Sequence, residues 1–337
     1  MGCYRLLLAC LVVMGHVGVQ VAGYDPGVVA VVSFFLLSGY VMTGLVERHY
    51  SEPGRIRLYY LDRALRLFPQ FLLYSLATLF AVEVLGLRHT WLAAPPSALS
   101  DLVQLTILPL NFVMFFPDML MPQGWSLGLE GFFYLLFPFL LRSGKRLPFA
   151  AGSLLIFALA YAGRLPQEWF GFRLLPGVLF IFLLGSFIRR PEPKLGSAPL
   201  VFVLALAVAA LAASPLVYAK HVRILETLAG LVFGLPIVWG LARARVANRF
   251  DALAGDVSYG VFLNHNLLLP GVAAWLPGAS HALTLAALLP LSMATAYASY
   301  RLVETPALAL RHRLRAAKTA PALEAALRPP LRRRTIA

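Results

Sequence analysis

Charge is scarce in this sequence. Of 337 residues only 13% are Asp, Glu, Lys or Arg, about half of what a soluble domain carries. Acids are the scarcer sign, 15 against 29 bases. Two cysteines are too few for a disulfide framework. Cys3 and Cys10 also share the first apolar run, and one helix would hold them in a geometry unsuited to a disulfide. Neither HExxH nor paired-cysteine spacing occurs, so the sequence offers no metal site. What it has is apolar: 60% of residues are hydrophobic and the mean hydropathy is +0.76, despite 24 prolines and 26 glycines. One aqueous core cannot hide that much apolar side chain. Disorder and an ordinary cytosolic enzyme are excluded, which leaves an all-α, polytopic membrane bundle.

The formal charge of +14 suggests nucleic acid until it is placed along the chain. Arg311, Arg313, Arg315, Lys318, Arg328, Arg332, Arg333 and Arg334 stand against Glu324 alone in the last 27 residues, which hold half of the excess. Most other bases lie in short gaps between apolar runs, where they orient a membrane protein. No nucleic-acid partner is expected. Two N-terminal look-alikes are set aside. Leu7-Leu8-Ala9-Cys10 has too few apolar residues before it for a lipoprotein signal. Met1-Gly2-Cys3 has Leu6 where myristoylation requires Ser or Thr.

Apolar runs near 20 residues long fall at about 5–22, 27–46, 67–86, 125–142, 147–163, 171–188, 198–219, 224–242, 257–276 and 281–303. An eleventh, 99–116, contains Asp101, Gln104, Pro109 and Asn111. If it is omitted, the basic gaps alternate. Arg5, then Arg48 to Arg66, Arg142 to Arg146, Arg189 to Lys194, Arg243 to Arg249 and the tail face one side; only Arg88, Arg164, Arg173, Lys220 and Arg223 face the other. This predicts ten spans with both termini cytoplasmic, and 99–116 dipping in or lying at the interface. Residues 1–310 would form the membrane domain and 311–337 a basic, disordered cytoplasmic tail.

Ionisable groups inside such runs are costly and tend to face a cavity or the bundle interior. They are His16, Glu83, Glu130, His265 flanked by Asn264 and Asn266, and Glu304. Arg5 and His16 are 11 residues apart, hence on one helical face with the imidazole roughly 16 Å deeper. His16 is either a functional group or a neutral inter-helix hydrogen-bonding partner. Ser38-Gly39 marks either a close helix contact or room for a ligand chain. Arg63 and Arg66, at i,i+3, read as topology anchors or as a phosphate-binding fork. Trp125 resembles an interfacial aromatic, with Ser126 beside it. Glu130, with no Lys or Arg within ten residues, calls for a partner or a general-base role. Arg301 and Glu304 are expected to pair with each other at the interface.

Together these residues are similar to a known set. The chain resembles the integral-membrane acyltransferase family 3, which includes O-acetylases of bacterial polysaccharides, lipopolysaccharide and nodulation factors. The resemblance runs from Tyr4 to about Leu310. It is carried by Arg5-x10-His16, Phe34-Phe35…Ser38-Gly39, Arg63-x-x-Arg66 with Pro69, Trp125-Ser126…Glu130…Phe133-Tyr134, Ser258-Tyr259…His265 and Glu304-x-Pro306. It implies transfer of an acyl group, usually acetyl from acetyl-CoA as co-substrate, to a hydroxyl of a carbohydrate or glycolipid at a bacterial inner membrane. No permanently bound cofactor is implied.

By position, His16 is implied to be catalytic and Arg5 belongs to its motif. Arg63 and Arg66 are implied to meet acyl-CoA, with Ser38 beside the pantetheine arm. Glu130 is expected to orient the imidazole or activate the acceptor, with Trp125, Ser126, His265 and Glu304 in support. Many relatives carry an extracytoplasmic esterase-like domain after the last span. Only 34 residues follow Val303 here, so this chain is expected to finish the transfer itself or hand it to a glycan-assembly partner. A secondary transporter or a glycolipid flippase is the alternative reading.

Overall fold

The computed structural model describes residues 1–87, 98–115, 119–214, 222–244 and 248–316. Arg88, Lys220, Arg245 and the basic tail from 317 onward lie outside the described residues. The described chain is helical, with two isolated β-bridges and no strand. The helices are α1 (Gly2–Val17), α2 (Pro26–His49), α3 (Ile56–Glu83), α4 (Ala98–Gln104), α5 (Gly124–Ser143), α6 (Arg146–Tyr161), α7 (Leu175–Arg189), α8 (Ala198–Ala213), α9 (Val222–Ala244), α10 (Arg249–Trp275), α11 (His281–Ser299) and α12 (Thr305–Ala316). A π-helical turn, Tyr300–Glu304, joins the last two.

Each of the ten expected runs overlaps one helix, α4 and α12 being extra. Among the described residues, six helices are long and apolar enough to cross a bilayer: α2, α3, α5, α7 with its preceding π turn, α9, and α11 continued through Arg313. Three more, α1, α6 and α8, are apolar but shorter. Segment 99–116 is broken into α4 and two 3-10 turns, Leu108–Asn111 and Val113–Phe115. At seven residues α4 is about 10 Å long, too short to cross. Gly128 of α5 lets the first 3-10 turn approach, since a methyl there would lie 2.7 Å from the Asn111 amide.

The first run ends sooner than expected. Gly18, at φ 94°, caps α1 through the Gly15 carbonyl, a left-handed position that favours glycine. His16 is therefore in the last turn of a 16-residue helix and not in mid-span. At the other end of α1, the Asp251 carboxylate accepts from the Cys3 amide at 2.9 Å, satisfying an orphan donor of the first turn. This amide holds Asp251 well below the usual carboxylate range.

α2 and α7 form the buried centre. Gly39 of α2 faces the Phe182 carbonyl and Gly185 of α7 faces the Leu36 carbonyl, each too close to admit a Cβ. Small residues permit this backbone approach, which is how membrane helices gain packing without a hydrophobic drive between them. Phe35, Phe182 and Phe133 then stack in series, centroids 4.5 and 4.3 Å apart, each pair adding about 0.5–1.5 kcal/mol. By contrast α8 exposes Val201, Phe202, Leu206 and Val208, and α11 exposes Leu283 and Leu291. These faces suit lipid, and they account for a hydrophobic content that no core could absorb.

Helix continues to Ala316, and Arg311 and Arg315 pack inward on Asp62. Charge complementarity thus sets Arg311 and Arg315 against Asp62 of α3.

Candidate active site

A cavity of about 600 Å3 opens among α1, α2, α3, α5, α7, α10 and α12. Its wall carries seven arginines, Arg5, Arg48, Arg63, Arg66, Arg189, Arg311 and Arg315, against one carboxylate, Glu130. They come from five helix segments distant in sequence, so the folded bundle concentrates a charge that is dilute along the chain. Such a low-dielectric, arginine-lined cleft focuses potential on an anion.

Arg63 and Arg66 both line it, but not as one fork. Arg63 is buried, ion-paired with Asp62 through Nε at 3.0 Å, and its guanidinium lies 5.7 Å from the Tyr134 ring centroid. Arg66 pairs with Glu304 and lies over Tyr259 at 5.0 Å. The expected Arg301–Glu304 pair is thus corrected. Arg301 is exposed, while the π turn carries Glu304 inward to Arg66. Glu83, at the exposed end of α3, is not brought to the site.

Glu130 receives hydrogen bonds from the Ser38 and Tyr134 hydroxyls on one carboxylate oxygen. Gly39 makes the close α2–α7 contact, while Ser38 turns to the cavity and Glu130. Ser126 and Ser258 reach the wall as well. Trp125 is not an interfacial aromatic: it is buried, 4.3 Å from the Phe172 centroid, with the Arg173 guanidinium 5.2 Å over its ring.

His16 lies outside this cavity, paired with His265 of α10. The two ring centroids are 4.9 Å apart. His265 Nδ1 faces the Val261 carbonyl at 3.1 Å, and its Nε2 faces His16 Nδ1 at 3.3 Å. His16 Nδ1 also faces the Val12 carbonyl at 3.0 Å. Carbonyls only accept, so both Nδ1 atoms carry the proton of a neutral ring. His265 Nε2 then accepts from His16 Nδ1–H, and His16 Nε2 keeps an unshared lone pair with no hydrogen-bond partner among the described residues. An imidazole so prepared can take a proton.

Phe262 lines the cavity and stands 6.5 Å from the His265 ring, with Phe34 edge-on to it at 6.2 Å. These two rings form an apolar layer on the cavity wall, with Phe262 next to His265. Past His16, Gly15 leaves room for the Asp25 carboxylate. Arg223 donates to Asp25 at 3.0 Å and to Glu226 at 3.0 Å, an acid–base cluster the sequence reading did not assemble. Two further buried networks were also missed. Gln123 donates to the Leu263 carbonyl and accepts from Asn266 at 2.7 Å. Asn264 bonds Ser292, and Tyr74 bonds Ser299 at 2.7 Å. Asn264 and Asn266 were visible as polar residues in an apolar run; their partners lie about 30 to 190 positions away.

The model for the acyltransferase domain of this family matches residues 3–301. The chain belongs to acyltransferase family 3. With six helices able to cross a bilayer, this family member is a multi-pass integral membrane protein. It is 34% identical over 155 residues to an uncharacterized protein of Aquifex aeolicus, a match covering 43% of this chain and 69% of that protein. No solved structure matches it. The family match takes in the histidine pair and most of the arginine cavity, and it stops before Glu304 and α12.

Proposed function

We propose that this member of the family transfers an acyl group, acetyl by preference, from acyl-CoA to a hydroxyl of a surface or exported glycan. One observation carries the reading: Arg5 lines the arginine-rich cavity, and His16, on the same face of α1 and roughly 16 Å further along it, is paired with His265. The phosphates of acyl-CoA bind among the arginines, and the pantetheine arm runs past Ser38 and Glu130. The Phe34–Phe262 layer parts to admit the thioester. The arginine end is assigned to the cytoplasm, where acyl-CoA is made and where basic residues collect. Ten spans and cytoplasmic termini belong to the same proposal.

In the chemical step the acceptor oxygen attacks the thioester carbonyl carbon while His16 Nε2 takes the hydroxyl proton. The C–S bond then breaks, an ester forms, and the thiolate of CoA recovers the proton from the imidazolium. This is general-base transfer, worth about 100- to 10,000-fold. Glu130, engaged by two hydroxyls and apart from His16, shapes the donor passage in this scheme and leaves the proton to the imidazole.

The test is His16→Ala in cells that decorate a glycan. O-acetyl groups read by NMR should disappear while the protein level in the membrane stays normal. Retained acetylation would remove His16 from the reaction.

A further inference from the structure

The helix beyond the family match lines the same cavity. Arg311 and Arg315 are one helical turn apart on α12, and both line the cavity with Arg63 and Arg66. On the same helix His312 and Arg313 are exposed, so the inward pair is a face and not an average property of a basic segment. Asp62, fully buried, is the counter-charge: Arg63 pairs with it, Arg315 reaches it at 2.8 Å, and Arg311 lies 3.5 Å away. Three guanidiniums share one carboxylate. The Arg311 side chain is 8% exposed, and its Nε, 3.5 Å from Asp62 Oδ1, makes no hydrogen bond. A buried guanidinium left short of acceptors beside an open cavity is a site short of an anion.

The geometry points to α12 as a structural part of the donor site, with Arg311 and Arg315 binding phosphate oxygens of the 3′-phosphorylated nucleotide end of CoA. This rests on the donor reading above and extends it to residues after 304. Two clustered phosphate groups would satisfy the three guanidiniums that Asp62 serves alone. α12 therefore closes over the nucleotide while the pantetheine arm leads away toward Ser38.

The full chain is reconstituted in phosphatidylcholine nanodiscs, and CoA and pantetheine binding are measured by calorimetry. The variants are Arg315→Gln, Arg315→Lys and, as a control outside the cavity, Arg301→Gln. Arg315 is only half-buried, and a melting curve verifies folding of each variant. Expected are a loss of CoA affinity of about tenfold or more in Arg315→Gln, a smaller loss in Arg315→Lys, and none in Arg301→Gln. Pantetheine binding should not respond to Arg315. CoA affinity within twofold of wild type in Arg315→Gln overturns the assignment of α12 while leaving the donor reading intact. A wild type that does not bind CoA overturns the donor reading itself. A defect seen only when phosphatidylglycerol is added would assign these arginines to lipid headgroups and also overturn the proposal.

Discussion

Replacing His265 by Phe separates positioning from chemistry. Phe keeps a ring in the buried space and removes the Nε2 acceptor that faces His16 Nδ1 at 3.3 Å. The Val12 carbonyl, 3.0 Å from the same nitrogen, survives and still favours the Nδ1–H tautomer. The loss is therefore one neutral hydrogen bond, about 0.5–1.5 kcal/mol, or about 2- to 12-fold in rate. Removing His16 itself should cost about 100-fold or more. The assay is acetyl transfer by reconstituted protein at saturating and limiting acetyl-CoA. A positioning residue lowers kcat and leaves KM for the donor unchanged, because the cavity is untouched. A loss equal to that of His16→Ala, with the melting temperature preserved, would refute the reasoning and make His265 a transfer group in its own right. An unchanged kcat would deny it any role.

Other perturbations follow from the same contacts. Glu304→Gln strips the carboxylate from the partly buried Arg66 and should destabilise the protein by about 3 kcal/mol or more, with CoA restoring part of the loss; thermal melts with and without CoA check this. Gly39→Ala forces a methyl against the Phe182 carbonyl and should cost about 1–3 kcal/mol, read as lower yield of folded protein and a lower melting temperature. Asp251→Asn removes the carboxylate that accepts from the Cys3 amide. Its folded pKa is depressed, so its stabilisation is full above about pH 4 and is lost as pH falls through the folded value. The melting-temperature difference from wild type should accordingly shrink on acidification, and a difference that grows would reverse the sign.

Much of this was legible in the sequence because lipid leaves few solutions. Long apolar runs must become helices, and α2, α3, α5, α7 and α9 lie where the runs fall. Polar residues in those runs stand out, so His16, Glu130 and His265 were conspicuous. Partnership was not legible. The i,i+3 spacing of Arg63 and Arg66 suggested one fork, yet Asp62 takes one guanidinium and Glu304, across the bundle, takes the other. Arg301 lay closer in sequence to Glu304, but a π turn rotates it outward. Gly18 ended α1 early because a single left-handed residue outweighs the apolar residues after it. Composition marked 311–337 as a basic tail, and nothing local shows that Arg311 and Arg315 pair with Asp62. Positions of helices follow from local chemistry, whereas the ion pairs depend on how the helices pack.

The account's central claim is that His16 Nε2 receives the acceptor's proton during acyl transfer from CoA. It is tested most directly by following 14C-acetyl from labelled acetyl-CoA into membrane glycan, using reconstituted wild type and His16→Ala of equal CoA affinity. The account predicts transfer in the wild type and a loss of about 100-fold or more in the variant, with CoA binding unchanged. Transfer at the wild-type rate by His16→Ala would contradict it.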